Sequence, residues 1–185
     1  MLPVVEEYSV LEDSTKKTSE VHALDFCPTR GDLLASGSSD GSVRVWDINN
    51  PSKVIMSYNL KATVNSISWN LSSNYLAAGT AIGDISVLNV LNKNEKFDPF
   101  KHPNYNAVKK IKFSPFFENY IFSSSSDGSV YLWDVNKSKS TQPLQSYKHH
   151  SKSCTSVAFS GNSDKIVCSV GYDSKVVFYD FRDNK

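Results

Sequence analysis

No stretch of about 18 consecutive apolar residues occurs in this chain, so the sequence offers no helix suited to crossing a bilayer. Charge of one sign is not in excess. Twenty Lys and Arg against 19 Asp and Glu leave a formal net charge of +1, which argues against general electrostatic binding to nucleic acid or a membrane surface. The N-terminus reaches Glu6 and Glu7 without a basic segment followed by an apolar one, so a secretory signal is not expected. Cysteine is scarce and odd in number: Cys27, Cys154 and Cys168 fit reduced intracellular thiols at strand positions better than a disulfide framework or a metal site. Asn70-Leu-Ser and Asn136-Lys-Ser match the glycosylation triplet and, without a secretory signal, read as chance matches. The eight glycines are scattered and form no phosphate-binding loop. No window keeps a 3.6-residue apolar period, so helix content should be small.

What the chain does have is a repeat. Residues 38–47 read Ser-Ser-Asp-Gly-Ser-Val-Arg-Val-Trp-Asp, and residues 125–134 read Ser-Ser-Asp-Gly-Ser-Val-Tyr-Leu-Trp-Asp. Weaker copies end at Val87-Leu88-Asn89 and Phe178-Tyr179-Asp180, so the centres Trp46, Leu88, Trp133 and Tyr179 recur every 42 to 46 residues. A period of roughly 40–45 ending in Trp-Asp is the mark of a four-stranded propeller blade. The frame resembles the WD40 family, and that resemblance implies an all-β, WD40-type β-propeller serving as a non-catalytic binding platform with no cofactor.

Each copy contains three short alternating segments bounded by turn residues. The first segments are expected near 21–27, 64–69, 108–113 and 154–160 and should form the inner strands. In Ser42–Asp47, Val43 and Val45 share one face while Arg44 and Trp46 share the other, as a strand sandwiched between neighbouring blades requires. Asp40-Gly41 and Asp127-Gly128 are tight-turn signals. A further segment precedes each copy, at Val4–Val10, Val54–Leu60, roughly Phe97–Lys101, and Pro143–Tyr147, and reads as an outer strand. The whole chain, 1–185, is thus one propeller unit with repeats at about 4–50, 54–93, 97–137 and 142–182. Leu91–Asn106, rich in Asn, Lys and Pro, is expected to be an exposed excursion.

WD40 blades resemble one another through a His–Ser/Thr–Asp–Trp hydrogen-bond network. Copy four supplies His150, Ser169, Asp173 and Tyr179 at those places. The same residues imitate a hydrolytic triad. A buried carboxylate, however, must be paired or hydrogen-bonded to persist. The expected role is therefore structural: aspartate to histidine, histidine to serine, serine to the ring. Copy one keeps Ser36, Asp40 and Trp46, with Lys17 where the histidine would fall. Copy three keeps Ser123, Asp127 and Trp133, with Asn104 there and His102 nearby in a loop. Copy two retains almost nothing, having Ala78, Ile82 and Leu88.

Other candidates are weaker. His149-His150 has no third ligand at a sensible spacing. Lys109, Lys110 and Lys112 form a small basic cluster that is either a solvated strand face or a contact for an acidic partner. Phe116-Phe117 is expected to pack at least one ring, with display as an interface anchor the other reading.

Propellers have about four to eight blades, and a ring of four is strained for blades of this size. An open arc of four leaves strand edges and two apolar blade faces uncovered. The expectation is a four-blade segment of a larger, about seven-bladed propeller, with closure by Val4–Val10 as the alternative. The runs 108–136 and 156–180 are further similar to the γ-tubulin-ring-complex-targeting WD-repeat family, of the neural-precursor-cell-expressed, developmentally down-regulated type. That likeness implies a cytoplasmic scaffold at centrosome or spindle, docking a γ-tubulin ring complex adaptor for microtubule nucleation. The chain shows no helical tail of the kind that carries the γ-tubulin complex in that family. The alternative is a generic WD40 scaffold or a substrate receptor in a ubiquitin ligase or ribosome-assembly complex. Partner contact is expected on loops around Tyr105, Asn106 and Lys109, with Tyr172 on the matching turn of copy four.

Overall fold

The computed structural model describes residues 19–50, 53–92, 99–137 and 142–182. They form four antiparallel sheets in chain order. The first holds β1 (Val21–Phe26), β2 (Leu33–Ser38), β3 (Ser42–Asp47) and β4 (Val54–Asn59). The second holds β5 (Val64–Trp69), β6 (Tyr75–Thr80), β7 (Asp84–Asn89) and the two-residue β8 (Phe100–Lys101). The third holds β9 (Val108–Phe113), β10 (Tyr120–Ser125), β11 (Ser129–Asp134) and β12 (Gln145–Lys148). The fourth, β13 (Cys154–Phe159), β14 (Ile166–Gly171) and β15 (Val176–Asp180), has three strands among the described residues, one fewer than expected. The segment Val4–Val10 lies outside the described residues. The helical structure described consists of two three-residue 3-10 turns, and no described helix is long and apolar enough to cross a membrane.

The period of the sequence and the boundary of the sheet are offset by one strand. Each outer strand pairs with the Trp-Asp strand before it, as β4 does with β3, so a sheet begins at the inner strand. The first strands β1, β5, β9 and β13 lie against one another around a common axis. Gly41 and Gly128 close the second turn of their blades at φ 83° and 88°, a region open to glycine without a Cβ penalty.

Apolar cores sit between the sheets. Val43, Val45, Val64, Ile67 and Leu76 fill the first interface; Ile85, Val108, Ile111 and Trp133 the second; Phe122, Leu132, Val157 and Tyr179 the third. The outermost faces are built of the same residue types but uncovered. Leu24 is 61% exposed, whereas its repeat equivalents Ile67, Ile111 and Val157 are 1%, 0% and 2% exposed. Phe178 is 71% exposed, against 0% for Val45 and 3% for Leu132. The two open apolar faces expected of a four-blade segment are thus present.

The stretch expected to be an exposed excursion is only partly so. Phe100 and His102 are buried, Phe100 with its ring centroid 5.3 Å from that of Trp133. Two apolar or aromatic-compatible rings inside a polar run are drawn in because β8 must cover the edge of β7 and reach the third blade. Phe117 packs on Tyr120 and Phe181, while Phe116 remains exposed.

Candidate functional site

Blade four assembles its four expected groups. His150 Nδ1 lies 2.9 Å from Asp173 Oδ1, and His150 Nε2 lies 2.8 Å from Ser169 Oγ. Ser169 Oγ is in turn 2.8 Å from the Tyr179 hydroxyl. Asp173 also accepts from the backbone N–H of Ser151 and Lys175. Burial pushes the Asp173 carboxyl up, but these donors and His150 outweigh it and hold its pKa below the ordinary carboxylate value. The chain is led there by local geometry: His150 precedes β13, Asp173 occupies the β14–β15 turn, and Ser174 takes that turn's left-handed position at φ 63°.

This constellation has the members of a hydrolytic triad and none of the access. Ser169 is 1% exposed, and its oxygen is engaged by the histidine on one side and the phenol on the other. No face of the hydroxyl is open to a carbonyl carbon, which a nucleophile needs within near-attack distance.

Blade three departs from the expected pattern. The network histidine is His102, not Asn104. His102 Nε2 lies 2.7 Å from Ser123 Oγ, which also accepts the Trp133 indole N–H at 2.9 Å. Asn104 and Tyr105 adopt left-handed φ of 57° and 55° in the turn Pro103–Tyr105, lengthening the connection so that the histidine falls six residues before β9 rather than four. Asn104 is exposed. His102 Nδ1 has no hydrogen-bond partner among the described residues. Asp127 instead takes the Tyr131 hydroxyl at 2.8 Å and the N–H of Ser129 at 2.8 Å. Burial drives the His102 pKa down to about 4, only partly opposed by the Asp127 charge and the Asn106 backbone.

Blade one joins Ser36 Oγ to the Trp46 indole N–H at 2.8 Å, and Asp40 accepts from the Ser42 N–H at 2.8 Å. Lys17 lies outside the described residues. Blade two substitutes a single side chain: Thr80 Oγ1 accepts from the Asp84 N–H at 3.0 Å and donates to the Asp84 carbonyl at 3.1 Å. Ala78 is fully buried where the other blades have serine.

The candidate partner residues stand at the end of the blades where the inner strands begin. Tyr105 and Tyr172 are 67% and 70% exposed. The Lys101 ammonium stands 5.7 Å from the Tyr105 ring centroid. Tyr172 is anchored by its backbone N–H to the Ser153 carbonyl. Lys109 is exposed at the bulge between Val108 and Lys110. Asn106 does not join this display, because its amide is turned inward to the Pro103 carbonyl at 3.0 Å and to Asp127 at 3.4 Å. Tyr105 and Tyr172 share an end but make no contact with each other among the described residues.

Contacts between blades were not foreseen. Asp25 of β1 accepts from the Trp69 N–H at 2.8 Å, while Ser66 and Ser68 of β5 accept from the N–H groups of Ile111 and Phe113, each at 3.1 Å. Glu118 ties the third blade to the second through Asn70 at 2.8 Å and Ser72 at 2.9 Å.

The profile of the WD domain, G-beta repeat, matches residues 8–47, 99–134 and 141–180, more than half of the chain. The chain belongs to the WD40 family. Among similar proteins is human Protein NEDD1, 28% identical over 153 residues, covering 82% of this chain and 23% of that protein. Mouse Protein transport protein Sec31B is 27% identical, covering 90% of this chain and 15% of that protein. The Arabidopsis thaliana E3 ubiquitin-protein ligase COP1 is 29% identical, covering 85% and 22%. A chain from the crystal structure of the mitotic checkpoint complex superposes with TM-score 0.78 at 20% identity, covering 90% of this chain and 49% of that one. This WD40 chain therefore spans a quarter or less of the length of these curated relatives.

Proposed function

We propose that this WD40 chain is a non-catalytic docking module whose partner is a centrosomal or spindle protein of the γ-tubulin system. The observation that carries the docking reading is the pair of exposed tyrosines, Tyr105 and Tyr172, on short loops held by rigid strands. Tyrosine offers a large apolar body with a polar tip and few rotors to freeze, which favours interfaces. Lys109 extends the same end with a positive charge. The likeness of residues 108–136 and 156–180 to the γ-tubulin-targeting family, and the 28% identity to NEDD1, support the choice of partner and a cytoplasmic, centrosomal or spindle location. The likeness to COP1 favours a second reading, a substrate receptor in a ubiquitin ligase.

The test is imaging and affinity capture of the full-length protein carrying Tyr105→Ala and Tyr172→Ala. Both side chains are exposed, so folding stability should change by less than about 0.5 kcal/mol. Spindle or centrosome targeting and capture of γ-tubulin complexes should both fall at least several-fold. Unchanged targeting by a well-folded double variant would move the interface elsewhere. Capture of ubiquitin-ligase components with no γ-tubulin would establish the second reading.

A further inference from the structure

At the opposite end of the blades, where the inner strands finish, the four sheets surround a cleft of about 390 Å³. Its wall draws on all four inner strands, with Asp25, Trp69, Lys112 and Phe159 among its residues. Asp25, Ser68, Lys112 and Ala158 occupy the same register position in the four repeats. At the first two steps around the axis this position is an acceptor for the next blade: Asp25 takes the Trp69 N–H and Ser68 takes the Phe113 N–H. At the third step it is Lys112, which can only donate.

The preceding inward position follows the same course. Ser66 accepts the Ile111 N–H, but its successor is Lys110. Val157 faces Ser169 as Ile111 faces Ser123, and Phe159 faces Val167 as Phe113 faces Ile121. The N–H groups of Val157 and Phe159 therefore point away from β14 toward the third blade. No acceptor among the described residues is paired with either. Lys110 and Lys112 thus stand in place of acceptors at the step of the inner wall that the N–H groups of Val157 and Phe159 face.

Among the described residues, one opposite charge serves them. Lys112 Nζ lies 3.6 Å from Asp25 Oδ1, and Asp25 also influences Lys110. Two lysines against one aspartate leave a single positive charge beside the unpaired amides, which calls for a monoanion. The cleft mouth is apolar, with exposed Leu71 and with Pro28 and Pro115. A free anion satisfies the donors and leaves this rim in water. A carboxylate side chain next to an aliphatic or aromatic one satisfies both.

We propose that this cleft binds a carboxylate-bearing segment of a partner protein, with the acidic side chain between Lys110, Lys112 and the amides of Val157 and Phe159, and a neighbouring apolar side chain against Leu71 and Pro115. The site is separate from the Tyr105–Tyr172 end and does not rest on that docking reading.

The experiment pans a displayed random decapeptide library against the chain and measures selected peptides by fluorescence anisotropy and by amide NMR. Enriched peptides should carry Asp or Glu beside an apolar residue. Their Asp→Asn or Glu→Gln versions should bind at least about tenfold more weakly. Lys110→Gln with Lys112→Gln should produce a similar loss. Ala158→Glu places an internal carboxylate beside Lys112 and should compete the peptide out while the far-ultraviolet spectrum and melting temperature stay those of the parent. The amides of Val157 and Phe159 should shift on binding, and that of Tyr172 should not. No acidic enrichment, no specific binders, shifts centred on Tyr172, or undiminished binding by the folded lysine variant would each overturn the proposal. Inorganic phosphate or phosphopeptides displacing the selected peptides at lower concentration than acidic peptides would replace the carboxylate segment by a phosphate ligand and overturn it too.

Discussion

Blades three and four solve the same problem with different parts. Both bury a histidine whose Nε2 sits beside a serine hydroxyl, and both close the serine against an aromatic group on the next strand. In blade four the far ring nitrogen meets Asp173. In blade three it does not meet the carboxylate, and Asp127 is held by Tyr131 and Asn106 instead. Blade three compensates with aromatic packing: His102 stacks at 5° on Trp133 and touches Tyr131 at 4.9 Å. Blade two dispenses with the network and keeps the same strand pairing. The blade is therefore specified by apolar packing and turn geometry, and the polar network adds stability where burial would otherwise strand a donor.

The largest break should come from Trp133→Ala. The indole is fully buried, donates to Ser123 and packs on both Phe100 and His102. Loss of a buried tryptophan costs roughly 3–5 kcal/mol. Urea unfolding should show a midpoint far below the parent's. A loss under about 1 kcal/mol would mean that blade three tolerates the absence as blade two tolerates Leu88, and that the aromatic stack does not replace the missing carboxylate.

Acid should separate the two blades next. The His102 pKa falls to about 4 in the fold from an ordinary 6.5. The folded ring stays neutral while the unfolded one takes a proton, so stability is full above pH 6.5 and declines as pH falls toward 4. The decline amounts to roughly 3 kcal/mol over that window. Asp40, Asp127 and Asp173 have lowered pKa values from an ordinary 3.8, so their contribution is present above about pH 4 and is lost only below it. Urea midpoints at pH 7 and 4.5 should differ markedly in the parent and much less in His102→Gln. An equal slope in both would remove His102 as the acid-sensitive group.

Third in order is Asp173→Ala, which strands His150 Nδ1 and the N–H groups of Ser151 and Lys175. The melting temperature should drop by several degrees, and by more than in Asp40→Ala, whose carboxylate accepts from the Ser42 N–H and has Arg44 at 3.8 Å. Equal losses would show that the turn, rather than the histidine bridge, is what the aspartate stabilises.

The strand frame was legible because alternation, Asp-Gly turns and the Trp-Asp ending all repeat within short windows. The blade-four network was legible for the same reason. His102 was misplaced because counting back from β9 assumes a constant loop length, and two left-handed residues break that assumption. The inter-blade acceptors were not legible along the chain, since Asp25 and Trp69 are 44 residues apart and belong to different sheets. Aligning the repeats in columns exposes them: Asp25, Ser68, Lys112 and Ala158 fall in one column. Packing compensation is visible in the same way. A Cβ on Gly37 would come within 2.5 Å of Val64, so a large residue opposes glycine there, whereas at the third interface Ser124 opposes the smaller Cys154.

The finest distinction between the blades is the ring that closes each serine. Tyr179 stands where Trp46 and Trp133 donate an indole N–H, and its hydroxyl reaches Ser169 at 2.8 Å. Tyr179→Phe keeps the ring, its packing on Tyr147 at 5.0 Å and its near-complete burial, and removes only the hydroxyl. Ser169 then retains His150 Nε2 as its partner, so it is not fully orphaned. The loss should be about 1 kcal/mol, the net worth of one buried neutral hydrogen bond. Combined with Asp173→Ala, the two losses should fall short of additivity, because the aspartate orients the histidine that Ser169 and Tyr179 share through one chain of contacts. Strict additivity in a double-mutant cycle would mean that the four groups of blade four stabilise it independently, and the contrast with blade three would then reduce to a single missing hydrogen bond.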